Sequence, residues 1–158
     1  MLFQQDLCNI CVQKGVSVSV AESCTSGIIA SKITSISGSS FYFKGGIIAY
    51  QNEIKTKLLG VSEDLIYKKT EVSIEVVSQM SRSVRKSFFS DYSVATSGYA
   101  GPTGGTLKNP IGTVFIAITN LIDTEVNRFV FQGSRESIVN QASEKSLELL
   151  CYAIKKQQ

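Results

Sequence analysis

A β-branched run, Val16 to Ala21, feeds directly into Glu22-Ser23-Cys24-Thr25-Ser26-Gly27 and then into a stretch with helical spacing. A strand that stops at small hydroxyl residues and Gly before a helix points to an α/β layer architecture. That junction presents backbone N–H groups, and often a nucleophile, to an anionic ligand. The chain contains no His. Hydrolytic chemistry would therefore run on Ser, Cys, Lys, Tyr or a carboxylate, and the Ser-His-Asp arrangement is excluded.

Hydrophobic periodicity organises the rest. Residues 3 to 14 read as a helix ending at Gly15, and Thr25 to Ile36 as a second, with Ile28, Ile29 and Ile33 on one face. Gly38-Ser39-Ser40 is a turn. Phe41 to Tyr50 reads as a strand whose Gly45-Gly46 pair signals a bulge or a close backbone approach. Asn52 to Leu59 is a short helix closed by Gly60, and Ser62 caps another short turn. Ser73 caps a helix to Phe89, with Val76, Val77, Met80, Val84 and Phe88 on one face. Tyr92 to Ser97 is a strand, and Gly98 to Pro110, with both prolines, is loop. Gly112 to Thr119 and Glu125 to Phe131 form an antiparallel hairpin. Ser134 caps a last helix to about Ile154, with Ile138, Ala142, Leu147, Leu150 and Ile154 inward. Helices between the early strands imply parallel neighbours, and the hairpin adds an antiparallel member. The expected fold is an α/β, three-layer α/β/α sandwich on a mixed, mostly parallel five-stranded sheet. Its 158 residues suit one domain, spanning 1–158.

Charge narrows the partners. Lys and Arg number 16 against 13 acidic residues, and the resulting net charge of +3 is too mild to argue for nucleic acid. Cys8 and Cys11 share a helix face at CxxC spacing, but no second pair or His completes a zinc site. They are expected in the core, and no metal is expected. The start, Met1 to Asp6, lacks a basic region followed by a long apolar run, so neither a secretory signal nor a membrane span is expected. Four unpaired thiols then fit a reducing cytoplasm.

Three loops, 22–27, 50–55 and 97–105, follow predicted strands and would share one sheet edge, where open α/β sheets bind ligands. Ser23 is a candidate nucleophile or, more blandly, a helix cap together with Thr25. A Ser hydroxyl needs a proton acceptor. Lys55 could serve if burial keeps it neutral, and Tyr50 leaves the same strand. The bland alternatives are a solvated Lys55 and a core Tyr50. Cys24 is a rival nucleophile, since a helix N-terminus lowers a thiol pKa, although a small buried Cys beside the site is commoner. The loop Ser97-Gly98-Tyr99-Ala100-Gly101-Pro102-Thr103-Gly104-Gly105 is neither a P-loop nor a dinucleotide fingerprint. Arg135, one residue inside the last helix, suits phosphate or carboxylate.

Together these segments resemble the CinA C-terminal domain family, the nicotinamide-nucleotide amidases. The resemblance runs through Ala21-Glu22-Ser23-Cys24-Thr25, Gly38-Ser39-Ser40, Gly45-Gly46 with Tyr50, Asn52-Glu53 with Lys55, and Leu59-Gly60-Val61. It continues through Val72-Ser73, Gly98, Ala100-Gly101-Pro102, Gly104-Gly105, Pro110 with Gly112-Thr113-Val114, and Phe131-Gln132-Gly133 with Arg135. It implies hydrolysis of nicotinamide mononucleotide to nicotinate mononucleotide and ammonia, no metal or other cofactor, and a homo-oligomer. By position it makes Ser23 the nucleophile, activated by Tyr50 and Lys55. It places Cys24, Thr25, Gly46, Ser97, Gly98 and Arg135 among the substrate contacts. Three residues depart from the family pattern: Ser26 stands for Gly, Ser97 for Thr, and Tyr99 for a smaller aliphatic. The pyrophosphate hydrolysis of an N-terminal domain carried by larger CinA proteins is not expected from a chain this short.

The rival class is a non-catalytic nucleotide-binding or competence- and DNA-damage-related interaction module, motivated by Ser26 and Tyr99. A Ser–Lys hydrolase of the SxxK type is weaker, because Ser26 occupies the place of its Lys.

Overall fold

The computed structural model describes residues 3–157, so the amino-terminal segment is described only from Phe3. Five strands form one sheet in the order β2-β1-β3-β4-β5. They are β1 (Val18–Glu22), β2 (Phe43–Ile48), β3 (Tyr92–Gly98), β4 (Thr113–Thr119) and β5 (Thr124–Val130). β1 pairs parallel with β2 and with β3, while β4 is antiparallel to both its neighbours. Four strands thus point one way and β4 the other. This is the mixed, mostly parallel sheet expected from the order of elements.

Strand alternation sends side chains to two different cores. Val18, Val20, Val94, Val114, Ile116 and Ile118 pack on one face against α1 (Phe3–Lys14), α2 (Ile28–Thr34) and α6 (Arg135–Lys156). Ala21, Ala95, Phe115 and Ala117 face α3 (Asn52–Leu59), α4 (Glu63–Lys69) and α5 (Ile74–Phe88). Small residues on that second face let α5 lie close to the sheet. There Ser81 shares a hydrogen bond of 2.9 Å with Ser93 and accepts another of 2.9 Å from Thr119. These buried hydroxyls satisfy one another, which is the condition for keeping polar groups in a core. Cys8, Cys11 and Cys151 are free and buried in the first core, as expected of CxxC spacing on a helix face. Among the described residues, no helix is long and apolar enough to cross a membrane.

Local chemistry sets the element ends. Ser62, Ser73 and Ser134 each accept an N–H from the first turn of the helix they precede. Glycines at 15 and 60, with φ of 65° and 64°, stop α1 and α3 in the left-handed region. The turn expected after Ser62 is in fact the two-turn helix α4. The Gly45-Gly46 signal resolves into both of its readings. The β1–β2 register slips between Val18 and Ser19, and a Cβ on Gly46 would sit 2.4 Å from Val20 O.

The second helix starts at Ile28, not at Thr25. Ser26 and Gly27 have φ of 49° and 98°, which no α-helical turn accommodates. An L-residue in the left-handed region is strained by about 1–2 kcal/mol, part of which Gly returns in unfolded-state entropy. Ser26 is exposed. Ser26→Gly is therefore expected to stabilise the fold by about 0.5–1 kcal/mol, read as a rise in Tm by calorimetry.

Candidate active site

The carboxyl ends of β1, β2 and β3 surround a pocket of about 370 Å³. Ser23 and Cys24 enter it from the turn after β1, Tyr50 and Lys55 from the segment after β2, and Ser97 and Gly98 from the end of β3. Arg135 reaches it from the first turn of α6. Thr25 and Gly46 are not in its walls. The Thr25 hydroxyl turns inward and shares a 2.8 Å hydrogen bond with the Thr96 hydroxyl. Gly46 lies in β2, where its missing side chain makes room for Val20. Gln51 and Asn52 from the loop 50–55 and Tyr99 and Thr103 from the loop 97–105 also line the pocket, as does Glu71, which lies outside all three candidate loops.

A larger groove of about 620 Å³ runs along α6 beside Phe131. Its charged walls are Glu136, Glu144, Glu148 and Lys145, and it holds neither Ser23 nor Lys55. Chemistry, not size, selects the smaller pocket.

Ser23 does not cap α2. The amides of that helix are already taken by Glu22, a fully buried residue whose carboxylate accepts from Gly27 N at 3.0 Å, Ile29 N at 3.2 Å and Ala30 N at 2.8 Å. A negative side chain plugs the positive end of the helix, the arrangement the helix dipole favours. An anionic ligand therefore cannot use those N–H groups, contrary to the expectation for this junction. The plug also anchors the Ser23 turn, whose backbone N–H donates to Thr96 O at 3.2 Å.

Lys55 is the most unusual group in the pocket. It is 1% exposed, and its ammonium donates only two long hydrogen bonds, each 3.5 Å, to Tyr50 O and Asn52 Oδ1. Burial pulls its pKa below the ordinary lysine range, while Glu71 and Cys24 pull the other way. The solvated-helix reading of Lys55 is thereby set aside. Tyr50 is 52% exposed, so it is not a core aromatic either. Its phenol oxygen accepts from Arg135 Nη2 at 2.7 Å, and Arg135 Nη1 donates to Gly101 O at 2.7 Å. With its oxygen already accepting from a guanidinium, the Tyr50 O–H is left to donate into the pocket.

Cys24 is the poorer nucleophile. Desolvation pushes its thiol up to about 12, so at neutral pH it is not a thiolate. The expected help from a helix N-terminus is missing because α2 begins four residues later and Glu22 occupies its end. Ser97 supports the pocket by donating from Oγ to Glu71 O at 2.6 Å. A Cβ on Gly98 would lie 2.5 Å from Thr113 O, so only Gly fits where β3 meets β4.

Residues 3–154 match the family described as the CinA C-terminal domain. The chain belongs to that family. A CinA-like protein of Desulfotalea psychrophila is 45% identical over 139 residues, 88% of this chain and 34% of the relative. A CinA-like protein of Endomicrobium trichonymphae is 46% identical over 134 residues, 85% of this chain and 31% of the relative. The chain thus spans about a third of the length of the curated relatives it matches. Among solved structures, the competence damage-inducible protein A of Klebsiella pneumoniae superposes with a TM-score of 0.95 at 28% identity, covering 99% of this chain and 97% of that one. The competence or damage-inducible protein of Enterobacter asburiae gives 0.92 at 30% identity, with 96% of each chain covered. The α/β/α sandwich on a mixed sheet is therefore the CinA-superfamily fold.

Proposed function

We propose that this CinA-family domain is an amidohydrolase acting on nicotinamide mononucleotide, with Ser23 as the nucleophile. One observation carries the reading: a buried lysine of lowered basicity shares a pocket with Ser23 and Tyr50 in a chain without His. A neutral Lys55 amine takes the Ser23 proton as Oγ attacks the carboxamide carbon. The tetrahedral oxyanion accepts from the Tyr50 O–H. The C–N bond breaks, the Lys55 ammonium returns the proton to nitrogen, and ammonia leaves. Water, deprotonated by the same amine, then attacks the Ser23 ester and releases the carboxylate. Arg135 uses two of its five N–H donors on Tyr50 and Gly101, which leaves others for the phosphate. Ser97 and Gly98 line the same pocket. A homo-oligomer and a nucleotide ligand belong to the same reading.

Ammonia release from nicotinamide mononucleotide tests it, and a protein that binds the nucleotide tightly without releasing ammonia would instead be the non-catalytic module. The pH dependence follows from Lys55, with Glu71, Cys24, Tyr50, Asn52 and Arg135 facing it in the pocket. The base must be unprotonated, so kcat/KM rises with pH. Its midpoint lies below the ordinary lysine value of about 10.4. A pH–rate profile without that rise would remove Lys55 from the role.

A further inference from the structure

The pocket contains a carboxylate that its chemistry does not yet use. Lys55 and Arg135 suit an anionic ligand, yet Glu71 lines the same wall. Its backbone is pinned on both sides. Thr70, just before it, has φ 68° and ψ 162°, a region almost confined to Gly and strained for a β-branched residue. Thr70 Oγ1 donates to Val72 O at 3.2 Å, Ser73 Oγ to Thr70 O at 3.0 Å, and Ser97 Oγ to Glu71 O at 2.6 Å. All of these bonds hold main chain, and none uses the carboxylate. The ion pairs among the described residues lie elsewhere, Lys69 for example pairing with Glu75. Glu71 instead lines one pocket with Lys55 and Tyr99, where its charge raises the pKa of both.

Glu71 works against the base, because its charge opposes the lowering of the Lys55 pKa by burial. The conflict disappears if a cation occupies the space against Glu71. Tyr99 brings an aromatic ring to the same pocket, and a carboxylate with an aromatic ring is what a delocalised cation binds. We propose that Glu71 and Tyr99 form a cation subsite that reads the positive charge of a pyridinium ring, while Arg135 takes the anionic end of the same ligand. This rests on the amidase reading and adds to it two residues that select a charged ring over a neutral one. It also gives Tyr99, the aromatic departure from the family pattern, a task.

The probe is a pair of ligands differing in ring charge, oxidised nicotinamide mononucleotide and its reduced, neutral dihydropyridine form. Calorimetry on Ser23→Ala protein measures binding without turnover. Expected is at least tenfold tighter binding of the oxidised form. Glu71→Gln, added to that protein, is expected to bring the ratio close to one by weakening the oxidised form alone, and Tyr99→Leu to reduce it partly. Equal affinity for the two forms, an equal loss for both in Glu71→Gln, or no binding of either overturns the proposal. Tyr99→Leu keeps the test decisive should Glu71→Gln fail to fold. Wild-type ammonia release is measured in parallel. Its absence would sink the amidase reading while the binding ratio still decides the cation subsite.

Discussion

Replacing Ser23 by Ala is expected to lower kcat by about 10⁴- to 10⁶-fold while leaving nucleotide binding and Tm close to wild type. The size of the loss follows from the route. Without Oγ there is no acyl-enzyme, and what remains is the rate at which a pocket of fixed dipoles helps water alone. The retained fold follows from the structure. Glu22, not Ser23, caps α2, and the Ser23 contribution to the turn is its backbone N–H, which Ala keeps. Had Ser23 been the helix cap, the same substitution would cost about 1 kcal/mol of stability. Steady-state kinetics and a thermal melt on one preparation separate the two roles.

Lys55→Met is expected to abolish turnover and stabilise the protein in the same step. A nearly fully buried ammonium held by two 3.5 Å hydrogen bonds is poorly compensated for the water it lost. An apolar side chain of similar length removes that cost, for a gain of about 1–2 kcal/mol. The sign has a pH signature. Lys55 is less basic folded than unfolded, so between its two pKa values the unfolded chain binds the extra proton and wild-type stability rises with pH. Below the folded value the burial cost is fully present. The advantage of Met is thus greatest at low pH and shrinks as pH climbs through the Lys55 titration. Denaturant melts of both proteins across pH measure it. A Met variant less stable than wild type at every pH would show that the ammonium is well satisfied, and would weaken its assignment as the base.

Much of the fold was legible because it rests on local rules. The period-3.6 face of α5 and the serine caps at 62, 73 and 134 are written in neighbouring residues. So is the glycine pair in β2, whose bulge and close approach both appear. The order of strands and helices was enough to bring Ser23, Tyr50, Lys55 and Ser97 to one edge, and Arg135 joins them from the first turn of α6. What was not legible depends on side-chain direction within irregular backbone. The left-handed Ser26 and Gly27 turn Thr25 inward onto Thr96, away from the pocket. The same turn brings the α2 amides back over Glu22, so a residue read only as part of a motif proves to be the cap. Glu71 carries no motif, standing alone between two helices, and nothing local marks it. Only the strained Thr70 and the Ser97 hydrogen bond, both visible in three dimensions, draw attention to it.

The centre of the proposed chemistry is a covalent ester on Ser23, and trapping it is the direct test. Protein turning over nicotinamide mononucleotide is quenched in acid, digested, and its peptides weighed by mass spectrometry. Expected on the Ser23 side chain is the mass of the nucleotide less ammonia, with Cys24 in the same peptide unmodified. The acyl group on Cys24 or any other side chain, or sustained ammonia release with Ser23 unmodified throughout, would contradict it.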